Sequence, residues 1–485
     1  MEERKSTGLD RRYEPPSLKK LLAISVNGIV WIMIFTAQAR IQIYGQKVLG
    51  LDPFLVALYL AIFTIVDIIN DPLIARLSDK STKLTRRLGK RFPFIIMGNI
   101  GMVIFLILQF IPWPLNPGGG LADSGLVIFA VIWIALSISM FDIFQSFDEM
   151  NKQALLTDLM RDQGTRKKMA LIEVFSNNLF GMVLGLLIIP ILLSSFNAFD
   201  TLGQVANPNA FFMMGIVVGL IYAISIPIFA FGYREPKEMK EFRSEFDKVV
   251  ERPPFFKVIK RALSDRNWVA FMIVDFQWAV INKSFTVGLD FYVVDGLGLD
   301  IGVAIIPQIV VVLGLVIFGV VSYIMMKKVG TRKTTLIGLA ITTLGFVLSV
   351  FSTNILTLSL FYFIGSAGIG MQVSARSVVL KQALDASILK HGTREEAQYN
   401  SLNGMLRSTC TALQAFIFAV ISFIFGYDAT LGTANTDLAK FGLLFFISIF
   451  LGIISFIAFV AFWKLNNITR DKEEIIEQEL LKIGR

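Results

Sequence analysis

Long, uninterrupted apolar blocks constrain this chain more than any other feature of its sequence. Residues 211–232 and 441–463, for example, contain no Asp, Glu, Lys or Arg. A helix of about 20 apolar residues crosses the ~30 Å hydrocarbon layer of a bilayer. Only 17% of the residues are charged, whereas soluble proteins have about 25%. The sequence therefore predicts an all-α membrane protein. We predict twelve spans, at residues 20–44, 53–75, 93–113, 125–150, 169–195, 210–232, 267–292, 302–326, 334–352, 356–380, 398–426 and 439–463.

Basic residues are concentrated in alternate loops between these spans, as at 76–91, 161–168, 234–266 and 327–333. The intervening stretches contain neither Lys nor Arg: 113–125, 194–208, 294–301 and 427–438. Because cytoplasmic loops carry the excess of Lys and Arg, both termini are predicted to be cytoplasmic, in a multi-pass protein of the cell membrane. The net charge of +9 then reflects topology, and no nucleic-acid partner is expected.

Several chemistries are excluded by the scarcity of reactive side chains. The chain has one cysteine, Cys410, and one histidine, His391, so it can form neither an internal disulfide nor a Cys/His zinc site. A membrane prenyltransferase is an alternative, since Asn70-Asp71 is similar to the opening of the Asp-rich motif in those enzymes. That class needs a second Asp cluster, and no Asp-x-x-x-Asp-x-x-x-Asp pattern follows residue 266. We therefore predict that the protein is not an enzyme and has no cofactor.

A polar stretch near the middle of the chain indicates two bundles of six helices. The predicted divisions are an N-terminal bundle, 1–232, a cytoplasmic linker, 233–266, a C-terminal bundle, 267–463, and a tail, 464–485, with apolar residues at helical spacing. A short internal repeat supports the division. Leu88-Gly89-Lys90-Arg91 precedes span III, and Val329-Gly330-Thr331-Arg332-Lys333 precedes span IX, with the glycines 241 residues apart (330 − 89). Repeated six-helix halves are typical of alternating-access carriers, whose substrate site lies between the halves.

Two carboxylates in span II, Asp67 and Asp71, are one helical turn apart and share a face with Asn70 between them. A charged residue at the centre of a span costs about 2.5–3.5 kcal/mol on insertion scales. Two neighbouring carboxylates ionise together only when a cation lies between them, and otherwise they share a proton. Asp67, Asn70 and Asp71 are therefore predicted to bind a cation, with Asp67 and Asp71 as metal ligands if the ion is Na⁺. The alternative is an ion pair with another helix.

The same block carries a family resemblance. Asp67-x-x-Asn70-Asp71-Pro72, then Asp79 and Leu88-Gly89-Lys90-Arg91-Phe92-Pro93, resembles the signature of the glycoside–pentoside–hexuronide:cation symporters. These belong to the major facilitator superfamily and include melibiose permease. The resemblance implies the fold of that superfamily and a cation site at Asp67 and Asp71. Three supporting segments follow in order along the chain: Asp162-x-x-x-Arg166, Gly392-Thr393-Arg394-Glu395-Glu396-Ala397-x-Tyr399 and Thr469-Arg470-x-x-x-Glu474-Ile475-Ile476.

The chain departs from this family where the family binds sugar. Span I reads Asn27-Gly28-Ile29-Val30-Trp31 in place of an aspartate, and Arg407 or Ser408 falls where the family has a lysine in helix XI. We predict substrate contacts from four ionisable residues within the spans, Asp142, Glu149, Lys283 and Arg407. This mixture of acids and bases suits a charged or zwitterionic solute.

Pairing with another ionisable residue, within one helix or between helices, remains the alternative for each of these groups. Lys152, for example, can pair with Asp148 at i,i+4 or with Glu149 at i,i+3. Further ionisable residues lie at similar depth: Arg40, Asp275 and Arg376.

The basic loops also resemble the superfamily's gating segments. Inter-bundle salt bridges that close one state are predicted for five residues, although a solvated basic loop is the alternative: Asp79, Arg86, Arg91, Asp162 and Arg166.

The predicted function is symport of a small polar solute, such as a sugar, glycoside or uronate, coupled to Na⁺ or H⁺ by alternating access. Two alternatives stay open: a carrier of an amphipathic zwitterion such as a lysophospholipid, and a non-transporting sensor on the same fold. The expected partners are the solute, the coupling cation and the lipid bilayer, and the protein is expected to be a monomer.

Overall fold

The computed structural model describes residues 15–80, 88–160, 165, 168, 169, 172, 173, 176, 180–236, 255–391 and 396–482. Within this part of the chain the structure is helical, and β-pairing is limited to isolated bridges. The helices of the first half are α1 (Leu18–Gln38), α2 (Pro53–Lys80), α3 (Phe92–Gln109), α4 (Leu126–Leu159), α5 (Met182–Ser195) and α6 (Ala210–Tyr233).

The second half follows a short linker helix, Phe255–Ser264. Helix α12 of the second half is broken at Ser448, where φ is −123° and ψ is −83°. The helices of the second half are α7 (Arg266–Phe291), α8 (Ile305–Val329), α9 (Thr331–Leu348), α10 (Ile355–His391), α11 (Glu396–Phe425) and α12 (Asp437–Ile447 and Ile449–Leu465).

Each predicted span corresponds to one of these twelve helices, so the predicted fold class is confirmed. Ten helices within the described residues are long and apolar enough to cross a membrane. The other two are α5, whose described part has 14 residues, and α7, which carries four charged residues. Helices α4 and α10 continue to Leu159 and His391, beyond the predicted ends at 150 and 380, because apolar composition marks the bilayer and not the end of a helix.

Helices pack mainly within each half. In the first half α1 packs on α5 and α6, and α4 packs on α2 and α3. In the second half α10 packs on α8 and α9, and α12 packs on α7 and α9. The two halves meet where α2 packs on α11 and α5 on α8. The residue boundaries of the predicted divisions stay a prediction.

A nine-residue segment of similar sequence and structure occurs twice in the chain, and this repeat was not anticipated from the sequence. Residues 44–52, Tyr-Gly-Gln-Lys-Val-Leu-Gly-Leu-Asp, and residues 292–300, Tyr-Val-Val-Asp-Gly-Leu-Gly-Leu-Asp, both begin with a five-residue π-helix. Gly50 and Gly298 each have φ of +64°, a conformation that favours glycine. We call these segments the two outer turns. They lie at the same end of the helices as the loops that contain Gly120, Leu202 and Thr433, and we use the name outer end for it as a label that implies no orientation in the membrane.

The predicted repeat around Gly89 and Gly330 is also present as structure. Both glycines have positive φ, 99° and 84°, and each stands just before the helix it leads into, α3 or α9. A carboxylate from a distant segment accepts hydrogen bonds at each helix start. Glu235 Oε1 accepts from the backbone nitrogens of Arg91 and Phe92 at 2.7 and 3.2 Å. A negative charge at this position is favourable because the N-terminal end of a helix is positive.

The tail forms helix α13 (Arg470–Lys482), as its apolar spacing predicts. Glu473 Oε1 of this helix accepts from the backbone nitrogen of Thr331 at 3.3 Å. Arg470 Nη1 donates to the carbonyl of Lys328 at 3.1 Å. The tail therefore docks against the loop between α8 and α9.

Helices α9 and α10 approach each other so closely that they require glycine. A Cβ atom on Gly345 would lie 2.2 Å from the backbone nitrogen of Gly365, and one on Gly338 would lie 2.9 Å from the carbonyl oxygen of Gly368. By contrast, a Cβ on Gly404 of α11 meets nothing within 4 Å.

Gly345→Ala is expected to lower the midpoint of thermal unfolding of the detergent-solubilised protein, because the methyl group forces α9 away from α10. Such overpacking costs about 1–3 kcal/mol. Gly404→Ala is the matched control, and it should leave the midpoint unchanged or raise it slightly, since alanine favours helix. Equal midpoints for the two variants would contradict the close packing.

Candidate functional site

One of the three predicted cation-binding residues, Asn70, lies where α2 faces α4. Asn70 is 5% exposed and donates a hydrogen bond from Nδ2 to Asp142 Oδ2. Its amide oxygen accepts from Ser146 Oγ at 3.2 Å. Asp142 is predicted to contact substrate, and in the structure it lies against Asn70; its contact with substrate stays a prediction. The side chain of Asp71 lies outside the described residues.

Asp67 lies one turn earlier on α2 and faces the second half. Its half-buried carboxylate lies near the Ser408 hydroxyl of α11, which donates its own hydrogen bond to the carbonyl of Gly404 at 3.2 Å. It is also within electrostatic range of Lys283 on α7 and of Glu149 on α4. Asp67 is therefore a point at which a carboxylate of the first half meets polar groups of the second.

Lys283 has no carboxylate within 4.0 Å among the described residues. Its ammonium group stands 4.7 Å from the ring centroid of Phe35 on α1. The Lys283 ammonium group is attracted by the carboxylates of Asp67 and Asp142 and repelled by the guanidinium group of Arg407. Lys283 thus lies between the acids of α2 and α4 and the bases of α11.

A compact charged cluster occupies the second half. Asp275 of α7 is buried and forms ion pairs with Arg376 of α10 and Arg407 of α11. The Arg407 Nε–Asp275 Oδ2 distance is 3.6 Å, and Asn403 Nδ2 donates to the same oxygen at 2.6 Å. Both guanidinium groups stand over the Trp278 ring, at 5.5 and 5.6 Å from its centroid. We use the name central polar region for Asp67, Asn70, Asp142, Asp275, Lys283, Arg376 and Arg407.

A second polar network lies within the first half. Lys152 Nζ is 2.8 Å from Asp148 Oδ2, and it also donates to Asn27 Oδ1 at 3.1 Å. Asp148 accepts from Asn99 Nδ2 at 2.8 Å, and the Tyr222 hydroxyl donates to Asn99 Oδ1 at 2.5 Å. The i,i+4 pairing that was an alternative for Lys152 is therefore the one present, and these groups satisfy one another.

Two buried ion pairs join the halves near the outer end. Arg40, beyond α1, places Nε 2.7 Å from Asp290 Oδ2 on α7, and both side chains are 1% exposed. Lys47 of the first outer turn lies 2.5 Å from Asp295 of the second. The Tyr427 hydroxyl donates to the other oxygen of Asp295 at 2.5 Å. Lys47 also donates to the carbonyl of Ala429 at 3.2 Å.

Sequence reasoning named Arg40 but missed Lys47, Asp290 and Asp295. For the Lys47–Asp295 pair, the sequence does contain a signal, namely the repeated Leu-Gly-Leu-Asp at 49–52 and 297–300. Lys47 and Asp295 are 248 residues apart, the same separation as Gly50 and Gly298 (298 − 50). They therefore occupy equivalent positions of the repeat.

Of the predicted gating residues, only Arg91 has a described side chain. Its Nη1 donates to Ser78 Oγ at 3.3 Å and to Asn151 Oδ1 at 3.2 Å, on α2 and α4 of the same half. The side chain of Asp79 and all of Arg86, Asp162 and Arg166 lie outside the described residues.

No group of three or more His, Cys, Asp and Glu side chains lies close enough to hold a metal ion within the described ranges.

Within the described residues, twelve long helices form two halves that meet around buried charges, which is the arrangement of the major facilitator fold. Known structures of this fold resemble the chain over nearly its whole length. The nucleoside transporter NupG superposes with a TM-score of 0.63 at 11% identity, covering 93% of this chain and 100% of its own. A bacterial homologue of the human lysosomal transporter Spinster, in an inward-facing and unoccupied conformation, gives 0.62 at 13%, covering 93% and 98%. A D-xylose–proton symporter gives 0.62 at 13%, also covering 93% and 98%.

The family follows from the sequence itself. The sequence profile of the family described as MFS/sugar transport protein matches residues 29–469. The chain therefore belongs to this family of the major facilitator superfamily, which includes melibiose permease-like members. The resemblance found in the span II block is thereby confirmed. Among curated proteins, none matches the chain in sequence.

The Lys47–Asp295 pair gives a charge-swap test, because its partners occupy equivalent positions. Lys47→Asp and Asp295→Lys are each expected to lower the midpoint of thermal unfolding, since leaving one buried charge without its partner costs about 3–5 kcal/mol. The double variant Lys47→Asp/Asp295→Lys restores opposite charges and should recover much of the loss.

The contacts to Ala429 and Tyr427 are not exchanged by the swap, so full recovery is not expected. Lys19→Asp, on an exposed position of α1, serves as the control for the charge change alone. A double variant as unstable as the sum of its single variants would show that the two charges are not coupled.

Proposed function

We propose that this transporter couples uptake of a small polar solute to a cation, Na⁺ or H⁺, by alternating access. The observation that carries the proposal is the position of Asp67. Its carboxylate belongs to the first half but lies near Ser408 and within electrostatic range of Lys283, both of the second half, where α2 packs on α11. A cation bound there changes the electrostatic contact between the halves, and not only the charge of one of them.

The proposed cation site consists of Asp67, Asn70, Asp142 and, by its place one turn beyond Asp67, Asp71. Asn70 links these groups through its hydrogen bonds with Asp142 and Ser146. Because Asn70 holds Asp142 on this side of the region, we assign Asp142 to the cation rather than to the solute. Carboxylate and amide oxygens suit Na⁺, and a carboxyl group alone suffices for H⁺. Metal ligation by Asp67 and Asp71 remains part of this proposal.

Cation binding and the Asp67–Lys283 interaction compete for the same carboxylate. A cation that neutralises Asp67 releases Lys283 from its attraction to α2, and Lys283 is then available to the solute. A ligand shifts a conformational equilibrium only by its difference in affinity between the two states. The coupling in this proposal therefore resides in how strongly Asp67 is held by the second half.

The solute is proposed to bind between the halves, against Glu149, Lys283 and Arg407. The family is described by sugar transport, and structural neighbours are described as nucleoside and D-xylose transporters. These descriptions support a sugar- or nucleoside-like solute. The D-xylose neighbour is a proton symporter, which supports cation coupling on this fold.

Alternating access requires that the outer end open and the opposite end close. In this proposal opening separates Arg40 from Asp290 and Lys47 from Asp295. Closure of the opposite end is assigned to the basic-loop residues predicted from the sequence: Asp79, Arg86, Arg91, Asp162 and Arg166. The proposed location is the cell membrane, with both termini cytoplasmic, and the protein acts as a monomer.

Asp67→Asn should abolish cation-driven accumulation in proteoliposomes, because an amide can neither release a proton nor balance the charge of Na⁺. Asp142→Asn should lower accumulation by at least tenfold, since it removes the second described carboxylate. The measurement is uptake of radiolabelled sugars and nucleosides driven separately by a Na⁺ gradient and by a H⁺ gradient.

Asp123→Asn is the matched control, because Asp123 is an exposed carboxylate that accepts only from the nearby Gly125 nitrogen at 2.8 Å. Its uptake should equal that of the unaltered protein. Accumulation by Asp67→Asn at the unaltered rate, under either gradient, would refute the proposed coupling site.

A further inference from the structure

We infer that Arg376, Arg407 and Lys283 form a subsite for an oxyanion, so that the transported solute carries a carboxylate or phosphate group. The inference rests on the proposed function and names the chemical class of its solute. It concerns the second half of the central polar region, where three bases come together from α7, α10 and α11.

The first argument is an imbalance of charge. Asp275 is the only carboxylate that forms an ion pair with Arg376 or Arg407 among the residues the structure describes. Lys283 adds a third positive charge with no carboxylate within 4.0 Å in the same part of the chain. Within the second half, three bases against one acid leave an excess of two positive charges, which the acids Asp67 and Asp142 of the first half offset only across the boundary between the halves. Such an excess at membrane depth is costly, and an anionic ligand relieves it.

The second argument is that one base is held loosely and remains accessible. Arg407 is 3.6 Å from Asp275, longer than a charge-assisted hydrogen bond of about 2.7–2.9 Å. Asn403 already donates to the same carboxylate oxygen, at 2.6 Å. The side chains of Arg376 and Arg407 are 30% and 39% exposed, whereas Asp275 is buried. Asp275 thus lies at the buried centre of the cluster, and the guanidinium groups of Arg376 and Arg407 lie at its accessible surface.

The third argument is the orientation that Trp278 imposes. Both guanidinium groups stand over its ring, at 5.5 and 5.6 Å, within the usual range of about 6 Å for a cation–π contact. Apart from Asp275, neither guanidinium has a hydrogen-bond partner among the described side chains and backbone. Two guanidinium groups on one ring present several N–H donors together, which matches the two or three oxygens of a carboxylate or phosphate.

The acids of the first half determine the orientation of the solute in the site. Asp67 and Asp142 face the region from α2 and α4, with Lys283 within electrostatic range of both. An anionic group is repelled from that side and attracted to the side of Arg407. The solute therefore places its oxyanion against α7, α10 and α11, and its neutral hydroxyl-rich part toward α4.

The experiment compares neutral and anionic members of matched ligand pairs on the purified full chain. The pairs are glucose with glucuronate, glucose with glucose 6-phosphate, and uridine with uridine 5′-monophosphate. Binding is measured by titration calorimetry, together with the thermal shift that Na⁺ or H⁺ produces. The carboxylate and phosphate pairs distinguish the two sources of the oxyanion.

The expected result is that at least one anion binds tenfold or more tightly than its neutral partner. Arg407→Gln should remove that preference, and Arg407→Lys should retain only part of it, because lysine cannot form bidentate contacts. Both variants should keep the cation-induced thermal shift, which demonstrates that they are folded. Lys464→Gln, an exposed base at the end of α12, is the control and should change nothing.

Neutral members that bind as well as their anionic partners would overturn the subsite. Absence of binding by every anion, with the cation-induced shift intact, would overturn it as well and leave the proposed coupling standing. Loss of the cation response in the unaltered protein would instead contradict the proposed function. An undiminished anion preference in Arg407→Gln would also be decisive against the inference.

Discussion

The contact between the two halves at the outer end depends on two buried ion pairs. Removing a charge from water costs several kcal/mol, and its partner compensates only when the geometry is good. Asp295 meets this condition while the halves are together, because it accepts hydrogen bonds from Lys47 and Tyr427. Arg40 Nε and Asp290 Oδ2 lie 2.7 Å apart but form no hydrogen bond, so their attraction is purely electrostatic. On separation each charge loses its partner but regains water. The net free energy of such a contact is therefore small relative to its parts, which suits a closure that forms and breaks in every transport cycle.

The repeat of the two outer turns explains one of these ion pairs. Lys47 and Asp295 occupy equivalent positions of the two turns but carry opposite charges. The two outer turns share their π-helices, their positive-φ glycines and their capping aspartates, as Asp52 and Asp300 accept from the nitrogens of Phe54 and Gly302 at 2.8 and 2.7 Å. Equivalent positions of two repeats face each other where the halves meet. Two identical charges there would repel, so the repeat must differ at this position. Lys47 and Asp295 are that difference.

The sequence predicted the twelve helices because membrane spans depend on composition over about 20 residues, a signal that survives uncertainty at single positions. It also identified Asp67 and Asn70 as functional candidates, since charge within a span is rare. It could not pair Asn70 with Asp142 or Asp275 with Arg376, because those contacts depend on the rotation of helices far apart in the chain. Lys152 shows that even a contact within one helix could not be predicted from the sequence alone. Both i,i+3 and i,i+4 partners were acceptable, and Asn27 and Asn99 of other helices favour Asp148.

The distribution of charge in the central polar region supplies a physical reason for obligatory coupling, given the proposed sites. In the empty carrier the acids of α2 and α4 face the bases of α7 and α11, and each set balances the other. In the fully loaded carrier a cation balances the acids and an oxyanion balances the bases. With the cation alone, Lys283 and Arg407 lose their counter-charge. With the anion alone, Asp67 and Asp142 lose theirs.

Closing the halves around either half-loaded state therefore buries an uncompensated charge, at a cost of several kcal/mol. A difference of 1.4 kcal/mol already changes a population tenfold, so the half-loaded carrier rarely occludes. In this proposal the empty and the doubly loaded states occlude readily, and these are the two states that a symporter must interconvert. Strict coupling then needs no contact between the two ligands, because it follows from opposite charges on the facing surfaces of the two halves.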